Sequence, residues 1–126
     1  MPHMTVHLPE DRLVGKEGEL VAALTDAIVG VYGDWARDLV SVRLDGVPAG
    51  RFAQGGKAVD ANASVILGVR AGVFDRPDAA DITAALGAAL TDAIVDVLGD
   101  ELRPGTMVEL VPSAPERTFV GGALAV

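Results

Sequence analysis

AALTDAIVGVYGD at residues 22–34 returns as AALTDAIVDVLGD at 88–100, with 11 of 13 residues identical at an offset of 66. The same offset pairs Arg37 with Arg103, Val42 with Val108, Leu44 with Leu110 and Gly55-Gly56 with Gly121-Gly122. A shared register of this length marks a duplicated or fused unit of roughly sixty residues. The 126-residue chain therefore reads as one domain made of two pseudo-repeats, spanning 2–58 and 64–126.

Around the repeated stretch each unit carries the same signals. Leu20, Leu24, Ile28 and Val31 recur every three or four residues, which predicts a helix over roughly 16–32, with Gly33 as its stop. Before it, Met4, Val6 and Leu8 alternate with His3, Thr5 and His7, the period-2 pattern of a strand. After it, LVSVRL at 39–44 alternates again, with Val40, Val42 and Leu44 on one face and Ser41 and Arg43 on the other. A short segment around Phe52 and a Gly55-Gly56 turn close the unit. The second unit predicts a strand near 65–73, a helix near 79–98 with Asp78 as N-cap and Asp81 three residues on, and a strand near 106–111. Strand, helix, strand implies a parallel pair joined by a crossover. Two such units predict an α+β fold, a four-stranded sheet with two helices on one face. An apolar second face of that sheet would need a cover, so a homo-oligomer is expected.

Composition narrows the function. A net charge of −8 argues against nucleic acid or an anionic membrane as partner. With no cysteine there is neither disulfide nor thiolate nucleophile, which fits a reducing cytoplasm. No uncharged run of 18 apolar residues and no basic-then-apolar leader pattern occurs, so the reading is a soluble cytoplasmic domain. His3 and His7 lie four apart on one strand face, about 13 Å from each other, too far to share a metal. Neither a metal nor another cofactor is expected.

The start of the chain, MPHMTVHLPEDR, places Pro2 directly ahead of a strand. Proline lacks a backbone donor and is tolerated at a strand's first residue. The alternative is a chemical use: removal of Met1 would leave Pro2 as a secondary amine, whereas a retained Met1 would make its nitrogen an amide without basicity.

Taken in order, these residues resemble the tautomerase superfamily, in particular a fused protein of the 4-oxalocrotonate tautomerase type. That family starts its β-α-β unit with a proline after the initiator methionine, has an arginine ten residues on, a second strand like SVRV, and then an aromatic ahead of a double glycine. PHMTVHLPEDR supplies Pro2 and Arg12, VSVRL supplies Arg43, and GRFAQGG supplies Phe52 before Gly55-Gly56. Asp11 replaces the usual glycine before the arginine, and Glu109 stands where the first unit has Arg43. The resemblance implies Pro2 as catalytic base with Arg12 and Arg43, Phe52 in the substrate pocket, a degenerate second unit, and a homotrimer whose pockets are shared between chains. YGDWARDLV and DRPDA also resemble malonate semialdehyde decarboxylase, a fused member of the same superfamily. On that resemblance Asp38 would orient a water and Arg76 would hold the substrate carboxylate, with Asp78 where a second arginine is usual. Trp35 reads as packing near the helix end.

Proton transfer between oxygen and carbon of a 2-oxo acid needs a base with a pKa near the working pH. A peptide α-amino group titrates at about 7.7–8.0. An apolar pocket and neighbouring guanidiniums would both disfavour its cationic form, and the same guanidiniums bind carboxylate. The expected function is thus a tautomerase acting on a small anionic 2-oxo or 2-hydroxy-dienoate acid through Pro2. A hydratase-type decarboxylase or dehalogenase would instead use protonated Pro2 with Asp38. A non-catalytic trimeric scaffold or ligand-binding protein is the third class, favoured by a persistently blocked Pro2 nitrogen.

Overall fold

The computed structural model describes residues 2–125. Four strands form the main sheet: β1 (His3–Pro9), β2 (Ser41–Val47), β5 (Ser64–Arg70) and β6 (Met107–Ser113). Their order is β2-β1-β5-β6, with β1 parallel to β2, β5 parallel to β6, and β1 antiparallel to β5 at the centre. Two two-residue hairpins complete the strands, β3 (Ala53–Gln54) with β4 (Lys57–Ala58), and β7 (Phe119–Val120) with β8 (Ala123–Leu124). A one-turn helix α1 (Glu10–Leu13) follows β1, and two long helices, α2 (Glu17–Tyr32) and α3 (Ala79–Leu98), cross between the parallel strands.

Both long helices lie on one face, and the repeated stretch is the reason. Its apolar positions are equivalent in the two units: Leu20, Leu24 and Ile28 on α2, and Leu86, Leu90 and Ile94 on α3, are all completely buried. They pack on Met4, Val6 and Leu8 from β1 and Val65, Leu67 and Val69 from β5 in one core. The α+β sheet-and-two-helix arrangement expected from the repeat is the observed one. The opposite face is open. Across its centre run Arg43, Thr5, Ile66 and Glu109, one residue from each strand, so a cation and a carboxylate stand at its two edges.

Local readings differ in three places. The second strand begins at Ser41 rather than 39, because Asp34–Leu39 coils into a 3₁₀ turn. The strand of the second unit ends at Arg70, and Ala71–Asp75 is again a 3₁₀ turn. Asp78 occupies the N-cap position of α3 but its carboxylate does not cap the helix; Arg76 takes it with two hydrogen bonds, of 2.9 and 3.1 Å. A guanidinium offers a two-pronged charged donor, which outcompetes a single backbone N–H.

The repeat is also uneven in its register. His3 pairs with Ser41, and Ser64 pairs with Met107, so the leading strands are offset by 61 while the following strands keep 66. The second unit carries five extra residues between its first strand and its helix. By this register Ala63 is the counterpart of Pro2, and both carbonyls accept in the same way: Ser41 N donates to Pro2 O at 3.2 Å, and Met107 N to Ala63 O at 2.9 Å.

Candidate active site

Pro2 is buried at the start of β1 and opens onto a cavity of about 180 Å³. Tyr32, Trp35, Leu39, Arg70 and Val73 are among its walls. Three of these come from the end of α2 and the turn after it, where Gly33 stops the helix at φ +111°. That conformation suits glycine, and a Cβ there would also lie 3.2 Å from the Trp35 ring. The indole Nε1 donates to Tyr32 O at 2.8 Å, which holds the two rings 6.0 Å apart at 55°. Trp35 is 65% exposed and forms a cavity wall, contrary to its reading as packing.

The Tyr32 hydroxyl is buried and has no hydrogen-bond partner among the described residues. A polar group sealed in this way costs about 1–3 kcal/mol. Burial raises its pKa above the ordinary phenol value, with Arg76 pulling in the other direction. Both effects act on a phenol that is protonated at neutral pH.

Arg70, at the end of β5, also lines a second cleft of about 510 Å³ on the open sheet face, together with His3, Asp38, Ser41 and Arg43. The two spaces meet at Leu39 and Arg70. Pro2, Asp38 and Arg70 are therefore gathered at one end of the sheet, with Arg43 further along β2 in the same cleft, while Arg76 lies close enough to Tyr32 to act on it electrostatically. Gly68 lets the His3 ring lie flat across β5, since a Cβ there would collide with the imidazole. His7 pairs with Asp45 at 3.5 Å further along the strand. Among the described residues no three His, Cys, Asp or Glu side chains are placed to hold a metal ion.

Arg12 and Phe52 are elsewhere. They line a third cleft of about 790 Å³ beyond Pro9, at the far end of β1. Seven strand residues separate that end from Pro2, roughly 23 Å. Arg12 Nη1 donates to Leu98 O at 2.7 Å and forms an ion pair with Glu101. The cause is the antiparallel β1–β5 pairing, which carries the loop after β1 over the end of the other unit's helix. This third cleft is the repeat-related copy of the Pro2 cavity, with Glu101 and Gly105 at the positions of Trp35 and Leu39, and it contains Asn62 just before Ala63. Within a single chain Arg12 thus faces the third cleft, and Val73 and Arg70 face Pro2.

Hydrogen bonding lowers the pKa of two surface carboxyls: Asp78 through Arg76, and Glu101 through its own backbone N–H and then Arg12. A carboxyl with a lowered folded-state pKa stabilises the fold above its unfolded value and loses that contribution as pH falls through the folded one. Urea midpoints should therefore drop as pH decreases from about 5, and Glu101→Gln should flatten part of that acid limb while leaving its upper plateau lower. A pH profile identical to that of the parent would remove the Glu101 contribution.

The model of the family described as "Tautomerase enzyme" matches residues 2–62. A fused 4-OT, solved as an asymmetric trimer, is 27% identical, covers 97% of this chain and 94% of its own, and superposes with a TM-score of 0.81. The chain belongs to the tautomerase superfamily. A crystal structure of native fused 4-OT is similar at 26% identity, TM-score 0.80, with 97% and 94% of the two chains covered. Macrophage migration inhibitory factor of Toxoplasma gondii, 15% identical, shares the fold with a TM-score of 0.76 over 98% of this chain and 99% of that one. No curated protein matches in sequence. In this tautomerase-superfamily chain, Tyr32, Trp35 and Arg70 are the residues that sequence reasoning missed as cavity walls. Tyr32 and Trp35 differ from their repeat partners Leu98 and Glu101, a signal that was readable; Arg70 needed the strand pairing.

Proposed function

We propose that the chain is an isomerase that moves a proton between oxygen and carbon of a small 2-oxo or 2-hydroxy-dienoate acid, with the Pro2 amine as its general base. The supporting observation is the setting of Pro2, buried on an apolar cavity with the Arg70 guanidinium in its wall. Exclusion of water and a nearby cation both favour the neutral amine. The neutral nitrogen takes the proton of the enol O–H, charge develops on that oxygen, and the same proton is then delivered to carbon to form the new C–H bond. Arg70 binds the carboxylate and, with its charge, stabilises the enolate as it develops.

The working form in this reading is a homotrimer, as in the trimers of fused 4-OT. Ile66, Met107, Phe119, Val120 and Leu124 are exposed on the open face and the second hairpin, apolar surface that a neighbouring copy would cover. Arg43, Arg12 and Phe52 then complete the pocket of another chain's Pro2 across these boundaries. No helix among the described residues is long and apolar enough to cross a membrane.

Ultraviolet monitoring of 2-hydroxymuconate and phenylenolpyruvate ketonisation tests the activity, with intact mass confirming that Met1 is absent. Turnover of either supports the reading, and no turnover by the processed chain overturns it. Arg70→Gln should raise KM by about 10–100-fold, the loss of a charge-assisted bond to carboxylate, with a smaller change in kcat. An unchanged KM would move carboxylate binding to another arginine.

Asp38 supports a second reading. It shares the cleft with Arg43 and Arg70, where a carboxylate could orient a water beside a protonated Pro2 for hydration or decarboxylation. NMR titration of Pro2 separates the two: a neutral amine at pH 7 favours the isomerase, and a strongly basic one favours the hydratase type.

A further inference from the structure

We propose that Glu109 of one copy binds Arg43 of the next, and that this contact orients the assembly head to tail, the β6 edge of each chain against the β2 edge of its neighbour. The inference rests on the trimer reading above and is independent of the isomerase chemistry. β2 and β6 are the outer strands of the main sheet, so each leaves one edge unpaired among the described residues. Such edges invite another chain or need a cover. The row Arg43, Thr5, Ile66, Glu109 ends on these two strands. Both end residues are exposed, and neither makes an ion pair or a side-chain hydrogen bond among the described residues. Asp45, the next charge on β2, is answered by His7 at 3.5 Å. Glu109 is the only charged residue of β6. One cation and one anion are thus left over, one at each edge of the sheet.

The internal symmetry says where these charges go. Thr5 and Ile66 are counterparts under the 61-residue offset of the leading strands, and Arg43 and Glu109 under the 66-residue offset of the following ones. The pseudo-two-fold of the chain therefore passes through this row, and its two ends are equivalent places in the two units. In a ring of three identically oriented copies every contact is heterologous, so where sheet edges form the boundary a β2 edge meets a β6 edge. A ring axis running along the strands keeps the row at one height in every copy. Its Glu109 end then faces the Arg43 end of the next copy. An unaltered duplicate would carry arginine at both ends, and like charges would meet at each boundary. Glutamate in the second unit turns that repulsion into an ion pair. It also opposes head-to-head association, which sets Arg43 against Arg43 and Glu109 against Glu109. Ile66 and Met107, 40% and 53% exposed, flank Glu109 and would be covered by the same contact. A guanidinium has five N–H donors, so one edge on Glu109 leaves others for the pocket that Arg43 completes.

The chain has no cysteine, so introduced thiols report on this contact alone. Within one chain positions 43 and 109 stand three strand spacings apart, about 14 Å, too far for an internal disulfide. Full-length protein carrying Arg43→Cys and Glu109→Cys together should, on mild oxidation, link 43 of one copy to 109 of another, read by peptide mass. Links of 43 to 43 or of 109 to 109, or no link at all, would overturn the orientation. Charge reversal gives an independent readout by analytical ultracentrifugation. Glu109→Arg alone should raise the concentration at which the trimer dissociates by about 100-fold or more, because like charges then meet at every boundary. Adding Arg43→Glu to that variant should restore assembly to within about tenfold of the parent. A reversal without effect, or an exchange that fails to restore assembly, would overturn the pair. Both side chains are exposed, so circular dichroism should match the parent in every variant. A parent chain that sediments as a monomer removes the trimer reading and this contact with it. A trimer indifferent to charge reversal removes the Arg43–Glu109 contact alone.

Discussion

Pro2→Ala should lower kcat/KM for enol ketonisation by about 10²–10⁴-fold, the range expected when a positioned general base is lost. The substitution is a clean test because alanine keeps the carbonyl that accepts from Ser41 N at 3.2 Å, so the start of β1 stays paired. Alanine also leaves a free amine after methionine removal, but a primary and more freely rotating one. The ring nitrogen of proline is held by a fixed φ, and its lone pair is aimed by the strand that follows. Stopped-flow absorbance with intact mass on both proteins would read the effect. Activity within threefold of the parent, with Met1 absent from both, would remove Pro2 from the chemistry and favour a scaffold.

Leu24→Ala and Leu90→Ala should each destabilise the chain by about 2–5 kcal/mol, the cost of a buried leucine cut back to a methyl group. The two residues are repeat partners, each completely buried between helix and sheet. Loss of methyl groups there leaves a cavity that two rigid layers cannot close. Against a typical folding stability of about 5–15 kcal/mol, either change is a large fraction of the total. Urea unfolding should show a lower midpoint at unchanged slope. Near-equal losses are expected at the two positions because their surroundings are duplicated. A loss below 1 kcal/mol at one of them would mean that its helix can shift to fill the space.

The repeated stretch carried most of the architecture. Leu20, Leu24 and Ile28 recur as Leu86, Leu90 and Ile94, and a period of three to four flanked by alternating strands leaves few ways to bury both helices. Helix bounds at 79–98 were legible for the same reason. Local chemistry was less legible where two partners compete, as at Asp78, whose carboxylate goes to Arg76 rather than to the helix it precedes. The open face with Arg43 and Glu109 at its edges was implicit in the alternation of LVSVRL, but its row of four residues required the pairing of all four strands.

Sequence by itself determined the duplication, the sheet-and-helix layers and the place of Pro2 at the head of β1, because periodicity and strand position are properties of neighbouring residues. Tertiary structure alone decided the company Pro2 keeps. The β1–β5 contact is antiparallel and long-range, so it sends Arg12 to Leu98 and Glu101 at one end. At the other end it brings Arg70 and Val73 to Pro2 and the end of α2. A ten-residue spacing says how far apart two residues are along the chain; which unit's loop folds over which unit's base is set by the direction of strand pairing.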